Sequence, residues 1–102
     1  MTTLNQFDLI RIWASDRNLI KGSNPHAQIV KMVEEFGETA GKIIRGDTDG
    51  IKDGIGDIIV CLTIISAQFG MDIEDCVAAA WDEIKDRKGR MENGIFIKEC
   101  EE

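Results

Sequence analysis

The sequence predicts an all-α protein, a four-helix bundle-like protomer completed by homo-oligomerisation. Three observations carry that expectation. Apolar residues recur at three- to four-residue spacing through most of the chain, a single proline (Pro25) interrupts it, and no alternating β-branched run flanked by Asn-Gly turns speaks for strands. A length of 102 residues with 43% apolar content is that of one soluble domain, read as residues 1–98 with a charged tail over 99–102.

The first helix is expected from Thr3, whose hydroxyl can cap the amide near Gln6, to about Ile20, with Leu4, Phe7, Ile10 and Trp13 or Ala14 as its apolar stripe. Lys21-Gly22-Ser23 reads as a loop. Asn24 then caps a second helix that opens on Pro25, where the missing N–H is no loss. Ile29, Val33, Phe36, Ala40 and Ile43 form its stripe, and Gly46 is placed to end it. A third helix, from about Thr48 to Phe69, carries Ile51, Ile55, Ile58, Ile59, Val60, Leu62, Ile64 and Ile65 around nearly its whole circumference, which predicts burial on every side. Gly70 closes it. Asp72 caps a fourth helix with Ile73, Cys76 or Val77, Ala80 or Trp81, and Ile84 on one side, ending at Gly89; Ile95-Phe96-Ile97 belongs to a short extension. Three neighbours do not easily cover a helix that is apolar all round, so a second copy is expected against it, in a homo-dimer or a dimer of dimers. A single compact bundle is the alternative.

Twelve Lys and Arg against nineteen Asp and Glu give a net charge of −7, which argues against a nucleic-acid partner because phosphate neutralisation needs a cationic surface. No apolar run approaches the roughly 20 residues of a membrane span, so no membrane partner is expected either. Cys61, Cys76 and Cys100 have no ligand-like spacing, and with one histidine (His26) they cannot build a zinc site. They read as buried thiols of a cytoplasmic protein.

Glu34, Glu35 and Glu38 share an arc about 100° wide on the second helix. That arc lies roughly opposite the apolar stripe, so a solvated acidic face is the plain alternative. Asp53 and Asp57 are one turn apart on a line that continues through Val60 and Ile64, both expected to be buried. Complementing the positive helix N-terminus accounts for Asp47, Asp49 and Asp53, at about 0.3 to 1 kcal/mol each, but Asp57 is beyond its reach. Carboxylates gathered between two helices repel one another unless a cation sits among them, and hard oxygen ligands select Mg²⁺, with Mn²⁺ as a substitute. Lys85, Arg87, Lys88 and Arg90 cluster near the end of the fourth helix, where they either receive phosphates or complement the negative helix end. Acids and cations taken as one describe a magnesium-bridged polyphosphate site.

Three blocks carry a family resemblance: Gln28-x-x-Lys31-x-x-Glu34-Glu35-x-Gly37-Glu38, Asp53-Gly54-Ile55-Gly56-Asp57-Ile58-Ile59-Val60, and Glu83-Ile84-Lys85-Asp86-Arg87-Lys88-Gly89-Arg90. They resemble the MazG-like nucleoside triphosphate pyrophosphohydrolases, of the all-α superfamily that includes the helical dUTP pyrophosphatases, from the first helix to Lys98. The resemblance implies Mg²⁺-dependent hydrolysis of (deoxy)nucleoside triphosphates to monophosphate and pyrophosphate, in nucleotide-pool house-cleaning. It implies Glu35, Glu38 and Asp57 as metal ligands, Glu34 as the acid that binds a further metal or activates water, and Lys85, Lys88 and Arg90 as phosphate-binding. The family pattern has Glu where this chain has Gly54, and Asp53, one turn from Asp57, is the nearest substitute ligand. Trp13, Gln28 and Asp82 are the candidates for base or sugar contacts, with a core role as the alternative for Trp13 and a helix-start role for His26. A catalytically weak helical module that binds nucleotides or a protein partner is the competing reading, motivated by Gly54.

Overall fold

Residues 3–99, the part of the chain that the computed structural model describes, form α1 (Gln6–Asp16), α2 (Pro25–Arg45), α3 (Thr48–Gln68), α4 (Ile73–Ile84) and two short strands, β1 (Gly89–Glu92) and β2 (Ile95–Lys98). Local chemistry explains where each helix begins. Asn5, rather than Thr3, caps α1: its side chain accepts the Asp8 amide at 2.9 Å while the Asp8 carboxylate accepts the Asn5 amide at 2.9 Å, a reciprocal capping box. The helix stops at Asp16 and not at Ile20, because the chain turns through Asn18 in the left-handed region at φ 57°. Asn24 accepts the Ala27 amide at 2.8 Å ahead of Pro25, and Gly46 ends α2 at φ 69°. Asp47 caps α3 through the Gly50 amide at 3.0 Å, and the chain leaves α3 through Phe69 and Gly70. Asp72 stands at the start of α4 but its side chain makes no capping bond.

The C-terminal region corrects the sequence reading. The fourth helix ends at Ile84 instead of Gly89, and Gly89 opens an antiparallel hairpin in which it faces Lys98 while Glu92 faces Ile95. Asn93 at φ 51° and Gly94 at φ 79° make the turn, both in the left-handed region that a two-residue hairpin loop of matching twist requires. The Asn-Gly signal is therefore present in the chain, between strands of only four residues.

Packing is centred on α3. Helix α2 lies along it, α1 leans on it with Ala14 fully buried, and α4 meets it near Ser66 and Cys76. Arg11 ties α1 to α4, with its guanidinium 2.6 and 2.8 Å from the Glu74 carboxylate and 2.7 Å from Asp8. Among the described residues the buried hydrophobics are Ala14, Cys61, Ile64 and Ile73. A Cα radius of gyration of 16.7 Å, against about 13 Å for a compact domain of 100 residues, fits so small a core.

Helix α3 is not enclosed on all sides within the protomer, since Ile55 and Ile59 are exposed, in line with the expectation that its three neighbours do not cover it. One burial expectation fails. The apolar stripe of α2 faces outward, with Ile29, Val33, Phe36, Ala40 and Ile43 exposed, while Pro25, Gln28, Met32, Glu35, Thr39, Gly41 and Lys42 are the residues wholly or partly covered. Cys61 is buried as expected but Cys76 is only half-buried; Cys100, with Glu101 and Glu102 of the charged tail, lies outside the described residues. No single described helix is long and apolar enough to cross a membrane.

Candidate active site

Helices α2 and α3 are joined across Gly46 and Asp47 and run antiparallel, so residues climbing α2 meet residues descending α3. Thr39 sits opposite Gly54, and one turn away Glu35 sits opposite Asp57. The Glu35 side chain is only 12% exposed, with the Lys31 ammonium 3.6 Å from it on the same helix. Asp57 is half-buried. Burial, then the neighbouring charges of Asp53 and Glu35, push the Asp57 carboxyl above its usual range, with Lys42 opposing them. Cys61, one turn further along α3, forms part of the floor, and its thiol is pushed up by burial and by Glu35 and Asp57, with Lys31 acting the other way.

Both shifts begin with burial, and carboxylates set close to one another with little positive charge nearby add to them. Glu34, Glu38 and Asp53 lie exposed around the Glu35–Asp57 pair. Among the described residues no three acidic, His or Cys side chains are gathered closely enough to hold a metal by themselves. Two converging carboxylates nevertheless fit Mg²⁺, which is ordinarily held by one or two carboxylates, with waters and substrate phosphates completing the octahedron.

Gly54 cannot carry a ligand here. It is buried, and a Cβ built on it would fall on the Thr39 hydroxyl and lie 3.1 Å from Thr39 Cβ. The Glu that the family pattern has at this position would therefore separate the helices here instead of adding a ligand.

The cations expected to bind phosphate are not brought to the acids within one protomer. Every residue from Val77 to Glu99 is exposed. Lys85 pairs with Asp82 at 3.1 Å and Arg90 with Glu92 at 3.3 Å, both inside this projecting arm, and Lys88 lies in the exposed connection before β1. The arm leaves α3 near Ser66, about 13 Å along the helix from Asp57, and α3 and α4 bend by 102° where they meet. Of the candidate base or sugar contacts, Trp13 is exposed under the Arg17 guanidinium, 4.6 Å from its ring centre. Gln28 donates to Ser23 Oγ at 3.0 Å, and Asp82 is exposed, as is His26. Sequence reasoning missed Thr39 and Lys42. Continuing the line of Glu35 along α2 in steps of one turn reaches both.

The MazG nucleotide pyrophosphohydrolase domain matches residues 23–91, a stretch that includes both carboxylate-bearing helices and the cationic arm as far as β1. An uncharacterised 18.2 kDa protein of Haemophilus phage HP1, from its rep-hol intergenic region, is 43% identical over 63 residues, covering 62% of this chain and 39% of the phage protein. No solved structure matches. The chain belongs to the MazG nucleotide pyrophosphohydrolase family.

Proposed function

We propose that the protein is a Mg²⁺-dependent nucleoside triphosphate pyrophosphohydrolase of nucleotide-pool house-cleaning, working in the cytoplasm as a homo-oligomer. The observation that carries this reading is the Glu35–Asp57 pair, two partly buried carboxylates held face to face across α2 and α3 in the segment that matches the family. Mg²⁺, with Mn²⁺ as substitute, neutralises triphosphate charge and lowers the pKa of bound water when it occupies such a site. Glu35 and Asp57 would hold the cation, with Glu38 and Asp53 joining them directly or through water. Glu34 accepts the proton of the water that cleaves between the α and β phosphates, releasing monophosphate and pyrophosphate. Trp13 and Gln28, with Asp82 on the arm, are the candidates for contacts to base or sugar.

Homo-oligomerisation is supported by α2, whose apolar stripe is left in water by its own protomer. A second copy covers it, at a gain of about 25 cal/mol per Å² of apolar surface removed from water. The same assembly gives Lys85, Lys88 and Arg90 a role, as a phosphate clamp on the site of a neighbouring copy. The lack of room at Gly54 favours a second reading, a module that binds nucleotides and turns them over weakly.

A panel of standard and modified nucleoside triphosphates, incubated with Mg²⁺ and analysed by product, tests both readings. Pyrophosphate and monophosphate, abolished by EDTA, are expected. Orthophosphate with diphosphate, or turnover without metal, overturns the assignment; binding without product selects the second reading.

A further inference from the structure

Glycine in a helix interior is destabilising by roughly 1 kcal/mol relative to alanine, so a buried one calls for a packing reason. On α2 and α3 the glycines differ sharply in what surrounds them. Gly37 and Gly56 have open space where a side chain would be, Gly41 would meet only the Arg45 side chain of its own helix, and Gly50 would meet the Lys42 stem and the Asp47 cap. Gly54 alone of the five faces the stiff part of a buried side chain on the opposite helix: a Cβ there would fall on Thr39 Oγ1, 3.1 Å from Thr39 Cβ and 3.2 Å from Thr39 Cγ2. Thr39 has nowhere to retreat. It is buried, and its hydroxyl donates to the Glu35 carbonyl at 2.7 Å, which fixes its rotamer.

That hydrogen bond ends on the backbone of the residue whose carboxylate faces Asp57. Gly54 is itself three residues from Asp57 on the same helix. The Thr39–Gly54 contact and the Glu35–Asp57 pair are therefore adjacent rungs of one antiparallel crossing, and a change in spacing at the first is passed to the second by two continuous helices.

We propose that Thr39 and Gly54 are the positioning pair of the carboxylate site, their contact setting the α2–α3 separation at which Glu35 and Asp57 share one divalent cation. The proposal rests on the cation-dependent reading above. It makes neither residue catalytic. An added Cβ at position 54 spreads the helices and the carboxylates with them, whereas removing the Thr39 side chain beyond Cβ takes away the overlap with Oγ1 and the contact with Cγ2 and leaves a 3.1 Å approach of the two Cβ atoms, which a small shift relieves.

The test measures Mn²⁺ binding by the intact chain without nucleotide, from the electron paramagnetic resonance of free Mn²⁺, with helicity and oligomeric state followed in parallel. Gly54→Ala is expected to weaken Mn²⁺ binding by about tenfold or more while the protein stays folded, an effect of the size that loss of a supporting residue has on metal sites. Adding Thr39→Ala to Gly54→Ala restores most of the affinity. Thr39→Val, which keeps the two branches at Cβ and drops the hydroxyl, stays within about threefold of the parent, because the contact depends on β-branched bulk at that position. A folded Gly54→Ala variant that binds Mn²⁺ like the parent overturns the proposal, and so does a double variant that stays as weak as Gly54→Ala. If Gly54→Ala does not fold, the double variant compared with Thr39→Ala alone decides: equal affinities support the pair, and a deficit in the double variant rejects it. Failure of the parent itself to bind Mn²⁺ strikes the cation reading and the pair with it, a result distinct from any difference among variants.

Discussion

The two faces of α2 invert the usual arrangement of an amphipathic helix. Its inner face sets Glu35, Thr39 and Lys42 against α3, with the Glu35 side chain 12% exposed. Its outer face offers Val33 at 60% and Phe36 at 56% exposure to solvent. A helix normally buries its apolar side, because that burial is the dominant favourable term in folding. Here the polar side occupies the protomer's interior and the apolar side is left over. The difference teaches that burial on this helix does not follow polarity: the inner face gathers charge beside α3, and the outer face leaves apolar area in water, which the proposed second copy would cover.

The largest effect is expected from the inner face. Asp57→Asn should reduce turnover by more than the roughly 100-fold that loss of an outer-shell partner gives at a metal site. The same substitution should raise the thermal midpoint of the metal-free protein, since it removes a half-buried charge that Asp53 and Glu35 oppose. Activity and melting measured on one preparation separate a site built at the expense of stability from a merely damaged fold. Asp53→Asn should act more mildly, raising the Mg²⁺ requirement; an unchanged Mg²⁺ dependence would reduce Asp53 to a helix-start acid.

On the outer face, Phe36→Glu should leave the helical content of the chain in place and abolish its assembly, as read by light scattering. For the parent, an unfolding midpoint that rises with protein concentration is the companion expectation, and a concentration-independent midpoint in a monodisperse monomer would break the comparison.

A smaller effect belongs to α1 and α4, which touch neither face. The Arg11 guanidinium holds the Glu74 carboxyl down to about 2 from its usual 4.5, chiefly by hydrogen bonding. A depressed carboxyl contributes stability that is fully present above the unfolded value and is lost as pH falls from about 4.5 towards 2. Glu74→Gln should flatten acid unfolding over that window and leave stability near neutral pH lower than the parent's. Smallest of all, Gly94→Ala in the hairpin turn, at φ 79°, should destabilise only the arm, by about 1 kcal/mol, seen as faster amide exchange in residues 89–98 with helix melting unchanged.

How much of this could be read from the sequence depends on the range of the interaction involved. Asn24-Pro25 and Gly46 mark the ends of α2 because caps are made by neighbours in the chain. Asn93-Gly94 marks the hairpin just as locally, but its four-residue strands are too short for alternation to stand out beside the helical periodicity around them. The motifs single out Glu35 and Asp57, and the structure brings the two face to face, whereas the direction of the Glu35 face is not legible in them. A helical wheel sorts residues by polarity and assigns the polar arc to water, and only the pairing with α3 reverses that. The Thr39–Gly54 contact joins residues fifteen apart whose meeting depends on the register of two helices, so no local pattern reports it. The open outer face of α2 was also hidden, since the same stripe of Ile29, Val33, Phe36 and Ile43 suits a core and an interface equally.

The buried hydroxyls have a consequence for how this chain can drift. Thr39, Thr63 and Ser66 each donate to the carbonyl four residues earlier on their own helix, to Glu35, Ile59 and Leu62. For Thr39 and Thr63 that bond stays within the helix, so replacing the hydroxyl strands no partner elsewhere, and the carbonyl that loses it still serves the helix ladder; Ser66 Oγ also lies 4.0 Å from Cys76 Sγ on α4. Thr63→Val can therefore arise without a compensating change across the core, whereas Ser66→Ala also gives up the contact with α4. Position 54 is under the opposite regime: any side chain there must wait for a smaller residue at 39, and the two sites can move only in sequence.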